Sequence, residues 1–199
     1  MVLFKHFKTI CIHKFWVFYY CCLAGIPFQG IIHDLSKFSI TEFKESIKYY
    51  TGDRSPIDKC KEENGYSMAW LHHRGRNKHH YEYWVDNFDK GGTSIKMPFK
   101  YALEMLCDYL GAGRAYSKDK FTIKGEIDWW NSKKDNAKSM HPLIKEFMNC
   151  ALNDINNDIK NLNKKHMKSL YDSTMIESNK KVRPNIWDTH FINTHLINK

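Results

Sequence analysis

MPFKYALEMLCDYLGAGRAY, residues 97–116, decides the fold. Apolar side chains recur nearly all round a helical period here, and Pro98 suits the first turn of a helix. The spacing therefore predicts a long helix over about 97–117 that is buried on most sides. Asp108 is out of place in such a helix, because a carboxylate removed from water is costly unless a cation or metal meets it. Arg114 is the ordinary partner, and Glu104, one turn earlier, is placed to support a site or act as a base. Gly111 and Gly113 each cost about 1 kcal/mol in a helix interior. They point to close helix packing, or to a ligand's approach, just beyond Asp108.

Outward from this segment the chain reads as helix nearly throughout. Residues 3–24 form a first helix, closed by Gly25 and Pro27. Residues 28–38 form a short second helix, with Phe28, Ile31, Ile32, Leu35 and Phe38 at helical spacing. Ser39 and Glu42 have the spacing of a capping box that opens a third helix through Tyr50. TGDRSP (51–56) is a turn, a fourth helix runs from Pro56 to about Arg74, and a short helix resumes over 80–88. FDKGGTS (88–94) is a loop, 119–140 is mixed with Trp129-Trp130 as anchors, and a last helix covers about 142–166. No strand alternation of useful length and no internal repeat occur. The class is all-α, with one domain over residues 1–166 and a basic polar extension at 167–199 that docks through Trp187 or Phe191.

Composition narrows the function. Hydrophobic residues make up 42% and aromatics 15% of the 199 residues, enough for a globular core. Formal charge is +9, yet residues 160–199 carry eight Lys/Arg and three Asp/Glu, leaving +4 for residues 1–159. Nucleic acid is thus a partner for the basic tail rather than the main ligand, and a small anionic substrate fits the domain. Six cysteines form no CxxC pair and lie largely in apolar runs, which reads as a reduced, cytoplasmic protein. FWVFYYCCLAGI (15–26) lacks charge, but twelve residues at 1.5 Å each do not span about 30 Å of hydrocarbon. That segment reads as a buried core helix, and no membrane partner is expected.

The chemistry concentrates in histidines. In YSMAWLHHRGRNKHHYEYW (66–84), His72-His73 and His79-His80 stand beside Arg74, Arg76 and Lys78. Histidine is suited to binding a metal as neutral imidazole or to moving a proton. In HDLSK (33–37), His33 and Asp34 are adjacent on the second helix and Lys37 shares their face. A histidine, a carboxylate and an ammonium that converge suit a metal bound to a phosphate oxygen, the lysine neutralising remaining charge. His13 lies on an apolar helix face with Trp16, Val17, Tyr20 and Ala24, where a hydrogen-bonded core histidine is the ordinary reading.

In chain order these residues run His13, His33-Asp34, His72/His73, His79/His80, Asp108. The series resembles the HD-domain superfamily of metal-dependent hydrolases, all-α helical bundles with a first His, the HD pair and a distal Asp. HDLSK looks like the HD-x-x-K variant of the HD-GYP-type phosphodiesterases, in which the lysine faces the substrate phosphate. HDLSKFSITEF followed by AWLHHRGRNKHHYEYW also looks like a family of small bacterial and phage proteins, over roughly residues 5–118. The resemblance implies that His13, His33, Asp34 and Asp108 hold one metal. Asp34 would bridge to a second, held by one member of each histidine pair. Helical phase favours His73, after Ala69 and Trp70, and His80 is taken from the other pair. His72, His79 and Lys78 would then contact substrate, while Lys37 and Arg76 clamp its anionic oxygens. No GYP segment is present, so cyclic-dinucleotide cleavage is not implied.

The expected activity is hydrolysis of a nucleotide or other phosphate ester, a phosphohydrolase or phosphodiesterase reaction driven by metal-activated water. Mixed imidazole and carboxylate ligands suit one or two ions of Fe, Mn or Zn. Two other classes use the same residues. A di-iron oxygenase would use the same two-metal ligand set, filled with iron, to activate oxygen. A non-catalytic module would use the metal for stability and the tail for docking.

Overall fold

The computed structural model describes the backbone of residues 2–181 and the side chains of residues 2–176. The protein is all-α, as the sequence predicts. In chain order the helices are α1 (Val2–Leu23), α2 (Pro27–Ile32), α3 (Ile40–Lys48), α4 (Pro56–Asn64) and α5 (Met68–Arg76). They continue with α6 (Phe99–Ser117), α7 (Ile123–Lys133), α8 (Pro142–Asn157) and α9 (Lys164–Lys181). One antiparallel pair of two-residue strands, β1 (Val85–Asp86) and β2 (Thr93–Ser94), pins the loop before α6.

The helix predicted around Asp108 is the axis of the fold. Ten α6 residues are buried, including Leu103, Leu106, Leu110, Glu104 and Asp108. α1 packs along α6 on one side and α7, α8 and α9 on the other, while α3 packs on α1 and carries α4 and α5. The two helices approach closely because Gly111 has no side chain. A Cβ there would stand 2.9 Å from the Val17 backbone nitrogen and 3.1 Å from its Cα. That contact sets α1 against α6 one turn from His13 and fixes the distance across the site.

Several expectations need correction. The second helix does not continue to Phe38. It stops at Ile32, His33 is extended, Asp34 takes a left-handed conformation with φ 53°, and a 3-10 turn covers Leu35–Phe38. A left-handed backbone costs little for Asp and turns its carboxylate out of the helical path. The fourth helix is two helices, because Gly65 ends α4 at φ 77° and the Ser67 hydroxyl caps α5 by accepting from Trp70 N. The short helix over 80–88 is a pair of 3-10 turns around β1. Asp158 interrupts the helix expected over 142–166.

The proposed boundary at 166/167 falls inside α9, whose Met167, Tyr171 and Met175 belong to the main core. The Tyr171 hydroxyl donates to Met97 O at 2.6 Å, so this segment is part of the bundle. Trp187 and Phe191 lie outside the described residues. α1 is buried only on its inner face; Phe4 and Phe15 are among its exposed residues, and α2 leaves Phe28 and Ile31 exposed as well. Among the described residues no helix is long and apolar enough to cross a membrane.

Candidate metal centre

Side chains from α1, the break after α2, α5, the stretch that follows α5, and α6 converge at one place. His13 comes from the inner face of α1, His33 and Asp34 from the break after α2, and His73 from α5. His79 and His80 follow the end of α5, and Glu104 and Asp108 lie one turn apart on α6. Lys14 Nζ donates to His33 O, which ties the α2 break to the same helix that carries His13.

Asp34 is the centre of the cluster, 1% exposed, and its two oxygens face different neighbours. Oδ2 lies 3.4 Å from His13 Nε2 and 3.2 Å from His33 Nε2, and these nitrogens lie 3.2 and 3.3 Å from Asp108 Oδ1. Oδ1 lies 3.3 Å from both His73 Nε2 and His79 Nε2. His80 completes this second group, all of whose ligand atoms fall within 4.8 Å of one another. Bonds of about 2.0–2.2 Å to one ion place neighbouring ligands about 3.0–3.4 Å apart, the spacing seen around each Asp34 oxygen.

The hydrogen-bond pattern makes the same case. The Nε2 atoms of His13, His33, His79 and His80 and Asp34 Oδ1 are buried without a hydrogen-bond partner among the described residues, and Asp34 Oδ2 has only the Lys37 ammonium, at 2.6 Å. Buried polar atoms left in this way are rare, and an ion is a standard explanation. The opposite ring nitrogens are held. Glu104 Oε1 lies 3.1 Å from Nδ1 of both His33 and His79, and Glu42 Oε2 lies 2.7 Å from Nδ1 of His73. A carboxylate that accepts from Nδ1–H fixes the tautomer that leaves Nε2 free for a metal. The His33, His79 and Glu104 group therefore orients the ligands instead of forming a third site.

Charges follow from this crowding. Burial works against ionised Asp34, but the His33, Lys37 and His73 charges outweigh it and hold its carboxyl well below the usual range. Burial likewise opposes ionised Asp108, and the closeness of His13 and His33 overcomes it. Burial disfavours a protonated His73, yet Asp34 and Glu42 raise it to about 9. His80 is pushed well down by burial and then by His79 and His73, and so stays neutral. Protons on the imidazoles thus balance the carboxylates where no cation does so.

The sequence-predicted residues divide clearly. His13, His33, Asp34, His73, His80 and Asp108 are brought together. His79, assigned to substrate, joins them, so both members of that pair enter the second group. Asp108 meets histidines, while Arg114 lies 4.7 Å over the Trp16 ring. Lys37 reaches Asp34 Oδ2 at 2.6 Å. His72 does not reach the cluster, because its Nδ1 is held 2.6 Å from Glu42 Oε1. Arg76 is exposed, one turn beyond His72 and 3.5 Å from its carbonyl. Lys78 is exposed, with its ammonium over the Tyr83 and Tyr101 rings. Of the expected Lys37 and Arg76 clamp only Lys37 reaches the cluster, and Lys78 is likewise turned away from it. Glu42 was missed as a site residue, since its place three after Ser39 reads as a cap; Ser39 does accept from Glu42 N, but the carboxylate turns to the histidines.

Fold and site together define an all-α bundle with a buried histidine–carboxylate cluster able to hold metal ions. The chain belongs to a family of unknown function, DUF5662, whose model matches residues 3–154. The matched region contains every residue of the cluster. No curated protein and no solved structure matches the chain.

Proposed function

We propose that the protein is a metal-dependent hydrolase of the HD type that acts on a phosphate ester. The observation that supports this reading is Asp34: one buried carboxylate, met by a single ammonium (Lys37, on Oδ2), between two sets of imidazole nitrogens at ligand spacing. His13, His33, Asp34 and Asp108 would hold one ion, and Asp34, His73, His79 and His80 a second. Divalent ions bound there would supply Lewis acidity, lowering the pKa of water and polarising a phosphoryl oxygen.

The chain's own groups do the rest. Glu104 and Glu42 keep the imidazoles aimed inward. Lys37 carries a positive charge at the edge of the cluster, where burial opposes the charge and Asp34 and Asp108 more than restore it. Two divalent ions and Lys37 against Asp34, Asp108, Glu42 and Glu104 leave one net positive charge, which favours an anionic substrate. Lys37 is the group that would accompany a phosphoryl oxygen as the substrate enters.

Elemental analysis of tag-free protein beside Asp34→Asn tests the reading. Asparagine tolerates the left-handed backbone, so the fold should persist. Two equivalents of Fe, Mn or Zn in the wild type, lost in the variant, followed by metal-dependent turnover of phosphate esters, is the expected result. No metal after reconstitution with each ion would rule the reading out.

A further inference from the structure

We propose that His6 is the substrate-contacting imidazole of this centre, and that the cavity it closes receives the substrate's phosphoryl group. The inference rests on the metal-centre reading and adds the position and size of the group that reacts there.

His6, Ile10 and His13 are buried at helical spacing on the inner face of α1. His6 is 5% exposed, yet neither ring nitrogen has a hydrogen-bond partner among the described residues. Its ring is fixed by Phe43 and Tyr50, whose centroids lie 5.4 and 5.1 Å away. A histidine needed only for packing would be served as well by phenylalanine, without two stranded polar atoms. Those atoms belong to a residue that lines a cavity of about 50 Å³, shared with His13, Lys37, Glu42, Ser46 and Tyr116. His13 and Lys37 tie this cavity directly to the metal centre.

The volume selects the occupant. One water needs roughly 10–15 Å³ of such space, so the cavity takes about three to five oxygen-sized groups, a range that includes a phosphate. Burial, and then the Lys37 charge, lower the His6 pKa to about 4, so the ring is neutral and presents one N–H donor. Lys37 supplies the charge and His6 a directed hydrogen bond. The Glu42 carboxylate on the cavity wall is turned to His72 and His73.

Inorganic phosphate is the probe. It is titrated calorimetrically into the zinc-loaded full chain, with zinc content measured on the same samples, for wild type, His6→Asn and His6→Phe. Wild type is expected to bind phosphate. Both variants should keep their zinc and bind phosphate at least about tenfold more weakly, the loss of one hydrogen bond to a charged group. Saturating phosphate should also shift the ring ¹⁵N signals of His6 in the wild type, a readout that needs no variant to fold. Undiminished phosphate binding in zinc-retaining variants, unmoved ring signals, or no phosphate binding by zinc-loaded wild type would each overturn the role of His6. Variants that lose zinc would place His6 in the metal-holding frame and overturn it as well. A wild type that holds no metal removes the centre itself, an outcome read separately from zinc content.

Discussion

Glu104 Oε1 stands 3.1 Å from His33 Nδ1, and the same oxygen is equally distant from His79 Nδ1. One carboxylate thus orients one histidine from each proposed ion site, so the sites are coupled through α6 as well as through Asp34. Burial opposes its charge, and the two histidines hold it below the ordinary glutamate range. Glu104→Gln keeps the shape but loses the charge. It should weaken metal binding by about 10–100-fold with the helical content unchanged, as read by competition with a chromophoric chelator.

Lys37 should behave in the opposite way. Its ammonium contacts Asp34 Oδ2 at 2.6 Å and competes with a cation for that oxygen. Lys37→Met is therefore expected to retain metal, with affinity equal to or above wild type, while phosphate-ester turnover falls by at least about tenfold. Loss of metal in this variant would show that the lysine supports the ligands instead of the substrate.

Gly111→Ala tests the helix contact that frames the site. The added methyl meets the Val17 backbone at 2.9 Å, where no side chain can swing aside. Overpacking of this kind costs about 1–3 kcal/mol. Thermal unfolding should shift accordingly, and metal affinity should fall with it, since Val17 and His13 share α1 while Gly111 and Asp108 share α6.

Glu126 provides a pH signature away from the ligands. It is 7% exposed, its carboxylate lies against Gly113, and burial, then the Asp108 charge, raise its pKa to about 7. A carboxyl with a raised folded pKa favours the fold while protonated. Its contribution is complete below the unfolded value of about 4.5 and is lost as pH climbs through about 7. Glu126→Gln should remove this slope, gaining at most about 3 kcal/mol over wild type at pH 8. Denaturant titrations across pH 4.5–8 measure it; parallel profiles for the two proteins would refute the assignment.

Residue chemistry was more legible in the sequence than backbone direction. Asp108 stood out because a carboxylate in an apolar helix needs a partner, and His33-Asp34 because imidazole beside carboxylate is a ligand pair. Their backbone was misread, since aspartate at a left-handed position carries no glycine to announce it. The α4/α5 break was signalled by Gly65 and Ser67, but apolar spacing continued across it and hid the turn. Glu42 was concealed by doing two things at once, its amide capped and its carboxylate working elsewhere. Arg76 and Lys78 were overvalued because charge near histidines says nothing of where a long side chain points. In α9, Met167, Tyr171 and Met175 form an i, i+4, i+8 stripe that the surrounding lysines obscured.

The pairing of α1 with α6 also sets an order of assembly on the ribosome. His13 is made early, and its partner Asp108 follows ninety-five residues later (108 − 13). At roughly 5–20 residues per second that is a wait of about 5–20 s. Throughout it the inner face of α1, with Val17, Tyr20 and Cys21, lacks the helix that will cover it. The nascent chain then lacks the proposed first ion site and exposes apolar surface, which makes this interval the one in which a chaperone would matter most.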